Sequence, residues 1–149
     1  MSTDLYQERL LALAAADHDP GRLDAPDVTL TRDNPLCGDR VTLDLHCDRA
    51  GRIAGLGHHV RGCVLCRAAA NLLGQQAIGQ DAASLDTLHG AIRDALRGRH
   101  AWPTDAPWQD LVLFQPAAAH KSRHECVLLP FEAVLEALRQ HGEDAATGT

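Results

Sequence analysis

The chain has no excess of basic residues, no apolar run of bilayer-spanning length, no internal repeat and no low-complexity tract. Its 14 basic residues stand against 20 acidic ones for a net charge of -6, and they are scattered. There is thus no electrostatic footprint for nucleic acid. The absence of a run of about 18 apolar residues argues against a membrane helix. The N-terminus Met-Ser-Thr-Asp-Leu-Tyr-Gln-Glu-Arg lacks the basic and apolar regions of a signal peptide, so a cytoplasmic protein is expected. With five cysteines, an odd number, in a reducing compartment, a disulfide framework is not expected, and metal binding or thiol chemistry takes its place.

The 149 residues suit one domain that buries roughly two thirds of its unfolded surface. Residues 1–142 read as that domain and 143–149 as a flexible tail. Leu5, Leu10, Leu11 and Leu13 in an alanine-rich run predict a first helix that stops at Asp17-His18-Asp19-Pro20-Gly21. Val28 to Thr31 predicts a short strand. The alternation in Val41-Thr42-Leu43-Asp44-Leu45-His46-Cys47 predicts a half-buried second one. Ile53 to Val60, with Ala54, Leu56, His58 and Val60 on one face, predicts its antiparallel partner. Cys47 shares the face of Val41, Leu43 and Leu45 and reads as core.

From Val64 the spacing of Leu65, Ala68, Ala69, Leu72 and Leu73 becomes helical, which sets Cys63 at a helix N-terminus. Ser84 reads as the cap of a further helix carrying Leu85, Leu88, Ile92 and Leu96, closed by Gly98. A loop from Arg99 to Pro107, a short helix from Trp108 to Gln115, and a last helix through Cys126 and Leu138 complete the pattern. The expected fold class is α+β, a small three-stranded antiparallel sheet covered on one face by helices.

Three short contexts carry the chemistry: Asn34-Pro35-Leu36-Cys37-Gly38-Asp39, Arg61-Gly62-Cys63, and Arg123-His124-Glu125-Cys126. Between the cysteines 25 and 62 residues intervene, so only the fold can bring them together. Three soft thiolates and a nearby carboxylate form a four-ligand set suited to zinc or iron. Gly38 permits the tight path that turns Cys37 and Asp39 toward one metal, and helix starts at Cys63 and Cys126 favour the thiolate. Cys66 completes a Cys-x-x-Cys with Cys63, which by itself suggests a redox pair. Its flanks lack the glycine-proline centre of a thioredoxin motif, and its helical position suggests burial. Among nine histidines, His58 reads as core, His46 and His59 as solvent-facing, and His124 as a reserve ligand.

Taken in order, the three contexts resemble the U-type iron-sulfur cluster assembly proteins, comprising IscU, SufU and the N-terminal part of NifU. The likeness spans most of the chain, and Leu5-Tyr6 and His18-Asp19-Pro20 are similar to that family's first helix and its exit. The 62-residue gap and Arg123 resemble the SufU branch. Glu125 departs from the IscU branch, which has histidine at that place, so Asp39 becomes the natural fourth ligand. The resemblance implies a site of Cys37, Asp39, Cys63 and Cys126 holding zinc, or alternatively iron or a [2Fe-2S] cluster. It implies a cysteine desulfurase as partner and a downstream iron-sulfur scaffold or apo-protein as recipient. Cys37, on a loop, is the expected sulfur acceptor, because it can leave a metal at least cost to the fold. A cluster scaffold and a thiol oxidoreductase using Cys63 and Cys66 are the alternatives. The second requires both thiols to be exposed.

Overall fold

The computed structural model describes residues 3–16, 21–36 and 38–147, with side chains for 5–16, 21–36 and 38–142. Helix α1 (Thr3–Ala15) precedes strands β1 (Val28–Asn34), β2 (Asp39–Cys47) and β3 (Ile53–Arg61). Helices α2 (Val64–Gln76), α3 (Ala82–Leu96) and α4 (His124–Thr147) follow, with 3₁₀ segments Gln109–Ala119 and Lys121–Arg123 ahead of α4. The sheet runs β1-β2-β3, antiparallel throughout. The fold is the expected α+β one, a small sheet with helices packed against it.

Strand alternation decides which face is covered. Val28 and Leu30 of β1 lie opposite Leu45 and Leu43 of β2, which in turn face Leu56 and His58 of β3. All six are buried, and they form the floor on which α4 and α2 pack. Phe114 and Phe131 are fully buried in the same cluster, and Trp108 meets Phe131 edge-on at 6.3 Å between centroids. One expected inward residue is misplaced: Ala54 is exposed and Ile53 is buried. The register skips between His46↔Gly55 and Cys47↔Ile53, so Ala54 is the extra residue of a bulge that turns Ile53 inward. Cys47, beyond the skip, is half-buried rather than core.

The other face of the sheet carries a buried carboxylate. Asp44 is fully buried because residues 21–23 cross above it. Its oxygens accept from Arg22 Nε at 2.6 Å, Arg22 Nη2 at 3.1 Å, Leu23 N at 3.1 Å and Thr29 Oγ1 at 2.6 Å. The crossing needs Gly57: a Cβ there would lie 2.3 Å from Gly21 O and 2.9 Å from Leu23 N. Asn71 of α2 donates to the carbonyls of Leu13 and Ala16 at 2.8 and 2.9 Å and so holds the C-terminal end of α1. The expected stop at Asp17 to Pro20 lies outside the described residues.

Three helix boundaries differ from expectation. The cap of α3 is Asp81, whose Oδ1 accepts Ser84 N at 2.8 Å, while Ser84 Oγ accepts Asp81 N at 3.1 Å in a reciprocal box. Ser84 is thus the third helical residue. The apolar stretch after Trp108 winds as 3₁₀ through Pro116 to Ala119. Its turns close three residues back, as in Leu111 N to Trp108 O at 3.1 Å and His120 N to Ala117 O at 3.0 Å. Helix α4 continues past Gly142 to Thr147, over the segment read as a tail. One glycine costs only about 1 kcal/mol in a helix, and the alanines beyond it favour continuation.

Candidate metal centre

Three strand and helix ends meet at one end of the sheet. Asp39 opens β2 opposite Asn34, the last residue of β1. Cys63 is the N-cap of α2, in extended conformation two residues beyond β3. Cys126 is the third residue of α4. Ligand atoms of Asp39, Cys63 and Cys126 all lie within 4.8 Å of one another. Asp39 and Cys126 are 3% and 1% exposed, and Cys63 is half-buried. Cys37, the fourth expected ligand and the expected acceptor, lies outside the described residues.

The local backbone explains how Asp39 comes so close to Cys63. Asp39 Oδ1 accepts the Cys63 amide at 3.1 Å, and Oδ2 lies 3.4 Å from Cys63 Sγ as its hydrogen-bond acceptor. Gly62 makes the approach possible: a Cβ there would stand 2.8 Å from both Asp39 Cγ and Oδ1. On the other side Asn34 builds the turn into the cysteine loop. Its carbonyl accepts Gly38 N at 2.8 Å and its Oδ1 accepts Leu36 N at 3.1 Å, and Gly38 takes the positive φ of 76° that the turn requires. Among the described residues Asn34 Nδ2 is buried with no hydrogen-bond partner. An open cleft of about 860 Å³ bordered by Asn34, Gly38, Asp39, Arg61, Gly62 and Cys63 leads to the site. The donors fit a metal: two sulfurs and one carboxylate, drawn from three elements, suit zinc or iron.

Other residues singled out in the sequence stand apart from this group. Cys66 is fully buried in the core, so the Cys63/Cys66 pair does not present the two exposed thiols that an oxidoreductase acting on outside substrates requires. His124 Nε2 is bonded to Ala118 O at 3.0 Å. Arg123 is exposed. Cys47 sits at the far end of β2, where burial first, then the charges of Asp27 and Asp48, push its thiol upward.

Beside Cys126 lies a group that sequence reasoning missed. Partial desolvation, then the neighbouring Glu132 charge, raises the Glu125 carboxyl above its ordinary value. The hydrogen bond from His89 is the main cause that lowers Glu132, with His89 Nε2 3.2 Å from Glu132 Oε2. Arg32 Nη2 stands 3.8 Å from Glu132 Oε1. Glu125 and Glu132 are seven residues apart on α4, a spacing that places them on one face. Nothing in the sequence links them to His89 on α3.

The family model described as NifU-like N terminal domain matches residues 5–111. A curated relative, the iron-sulfur cluster assembly scaffold protein IscU of Thermotoga maritima, is 25% identical over 91% of this chain and 94% of its own length. The crystal structure of a nitrogen-fixing NifU-like protein (N-terminal) from Brucella abortus superposes with a TM-score of 0.86 at 31% identity, covering 95% of this chain and 99% of that one. A structure from Fervidobacterium islandicum AW-1, a candidate iron-sulfur cluster assembly scaffold for the SUF system, gives a TM-score of 0.79 at 21% identity, over 93% of this chain and 99% of that one. At that identity the likeness speaks for the fold alone.

Proposed function

Because the chain belongs to the family of NifU-like N-terminal domains, we propose that it is a U-type iron-sulfur cluster assembly protein and, within that role, a SufU-like zinc-bound acceptor of sulfur from a cysteine desulfurase. The observation that carries this reading is the convergence of Asp39, Cys63 and Cys126 within 4.8 Å. Two thiols and a carboxylate, with Cys37 as the fourth ligand, would hold the metal. Zinc bound there keeps thiols deprotonated and guarded against oxidation.

The remaining chemistry belongs to the chain. Cys37 takes the sulfane sulfur from the desulfurase persulfide, since in the sequence it stands between Leu36 and Gly38 rather than at a helix start as Cys63 and Cys126 do. Leu36 is 89% exposed beside it, an apolar contact available to the partner. Asp39, a hard oxygen among softer sulfurs, gives way most readily and lets the site open. Its hydrogen bond to the Cys63 amide is the resting position to which it returns. The recipient is a downstream scaffold or an apo-protein.

A second reading, a scaffold on which a [2Fe-2S] cluster is built as cargo, is favoured by the Thermotoga maritima relative, which is named as such a scaffold. Protein isolated without added metal separates the two. The acceptor reading expects a colourless protein carrying about one zinc, desulfurase turnover raised on its addition, and no rise with Cys37→Ala. A brown protein with visible charge-transfer bands is the scaffold. Trapped persulfide on Cys126, with Cys37→Ala still stimulating, removes Cys37 from the acceptor role.

A further inference from the structure

The Cys-x-x-Cys of the sequence is not absorbed by the metal centre, and the structure gives its two thiols unlike settings. Cys63 is the N-cap of α2 and contributes its sulfur to the ligand group. Cys66 is the third helical residue, fully buried, and belongs to the hydrophobic core against which Cys63 packs. N-cap and third-residue side chains are neighbours in a helix's first turn, the relation that capping boxes exploit. Helix geometry places such Cα atoms about 5 Å apart, inside the roughly 4.4–6.8 Å span that a disulfide bridges. One thiol therefore faces the site while the other waits behind it, out of reach of solvent.

We propose that this pair is an internal dithiol that releases sulfide: Cys66 attacks a persulfide carried on Cys63, whether loaded there directly or passed on from Cys37. The reaction rests on the sulfur-acceptor reading above. The Cys66 sulfur bonds to Cys63 Sγ, the bond from Cys63 Sγ to the sulfane sulfur breaks, and that sulfur departs with the bonding pair and the Cys66 proton as hydrosulfide. The sulfane sulfur is reduced by two electrons, and the two cysteines are oxidised to one disulfide, so no outside oxidant or reductant enters. A persulfide is useful to cluster assembly only once reduced to sulfide, and here both electrons come from within the chain. The placement of Cys66 one turn into α2 from Cys63 favours this route, because the attack is intramolecular and no solvent thiol competes from the protein side. The product disulfide takes Cys63 out of the ligand set until an external dithiol reduces it.

The test uses the full chain, reduced, stripped of metal, and persulfidated anaerobically with inorganic polysulfide, which bypasses the desulfurase. After desalting, wild type is expected to give about one equivalent of sulfide and a Cys63–Cys66 peptide two hydrogens lighter than the dithiol. Cys66→Ala and Cys66→Ser should keep the persulfide on Cys63 several-fold longer. Equal persulfide lifetimes in wild type and variants overturn the proposal, as does a Cys63–Cys126 disulfide or no persulfide on Cys63 in any protein. A desulfurase left unstimulated while polysulfide still yields the Cys63–Cys66 disulfide would remove the acceptor reading and leave the dithiol.

Discussion

Asp39 and Asp44 are both buried aspartates on β2, on opposite faces of one sheet. Asp44 accepts four hydrogen bonds, two of them from the Arg22 guanidinium. Asp39 has one backbone amide and a thiol. Each is flanked by a glycine that lets other atoms come near: Gly57 admits the 21–23 crossing and Gly62 admits the carboxylate itself. A carboxylate that fastens chain to sheet is closed by its own cation. The one at the candidate metal centre has, among the described residues, sulfur neighbours and no guanidinium, an arrangement suited to a metal ion.

Removing each carboxylate from the metal-free protein tests that contrast most strongly. Asp44→Ala is expected to cost about 3 kcal/mol in urea unfolding, as charge-assisted hydrogen bonds are lost and the crossing segment is released. Asp39→Ala should cost about 1 kcal/mol, the scale of a lost helix cap, while metal affinity falls in this variant alone. Equal losses of stability would show that both are fasteners. At the glycines, Gly57→Ala is expected to cost about 1–3 kcal/mol through overpacking with metal affinity kept. Gly62→Ala should weaken metal binding by about tenfold by displacing Asp39, with a smaller change in stability. The reverse pattern would exchange the roles of the two faces.

The smallest effect is the pH dependence. Burial pushes Asp44 up, but the hydrogen bonds from Arg22, Thr29 and the Leu23 amide, with the Arg22 charge, outweigh it and hold the carboxyl below its ordinary 3.8. The stability this confers is complete above 3.8 and is lost as pH falls through the lower folded value. The gap in unfolding free energy between wild type and Asp44→Asn should therefore be constant near neutrality and narrow in acid below 3.8. A gap unchanged in acid would mean that the charge of Asp44 contributes nothing.

The strands were legible because their pattern is local: Val41, Leu43 and Leu45 alternate with polar residues, and one covered face follows. Asp39, Cys63 and Cys126 were legible because each stands in a short context at an element's end. Asp44 reads in that same alternation as a solvent-facing residue, and only the chain crossing above it buries the carboxylate. Ala54 misled because a bulge shifts phase without a sequence mark. The stretch through Pro116 was read as ending there, because the proline rule concerns α-helical hydrogen bonds and the segment uses shorter ones. His89 and Glu132 meet through the packing of α3 on α4, which no local pattern encodes.

Helix α2 begins without a side-chain cap of its own; its first amide is held by Asp39, from 24 residues earlier in the chain. The carboxylate that would serve a metal is thus also the peg on which a helix end hangs. Were it to turn toward an ion, the Cys63 amide would lose or share its acceptor, and exchange of that one proton with deuterated solvent would change with it. Any movement of the Asp39 carboxylate would thereby register in the backbone, where it can be followed without colour or turnover.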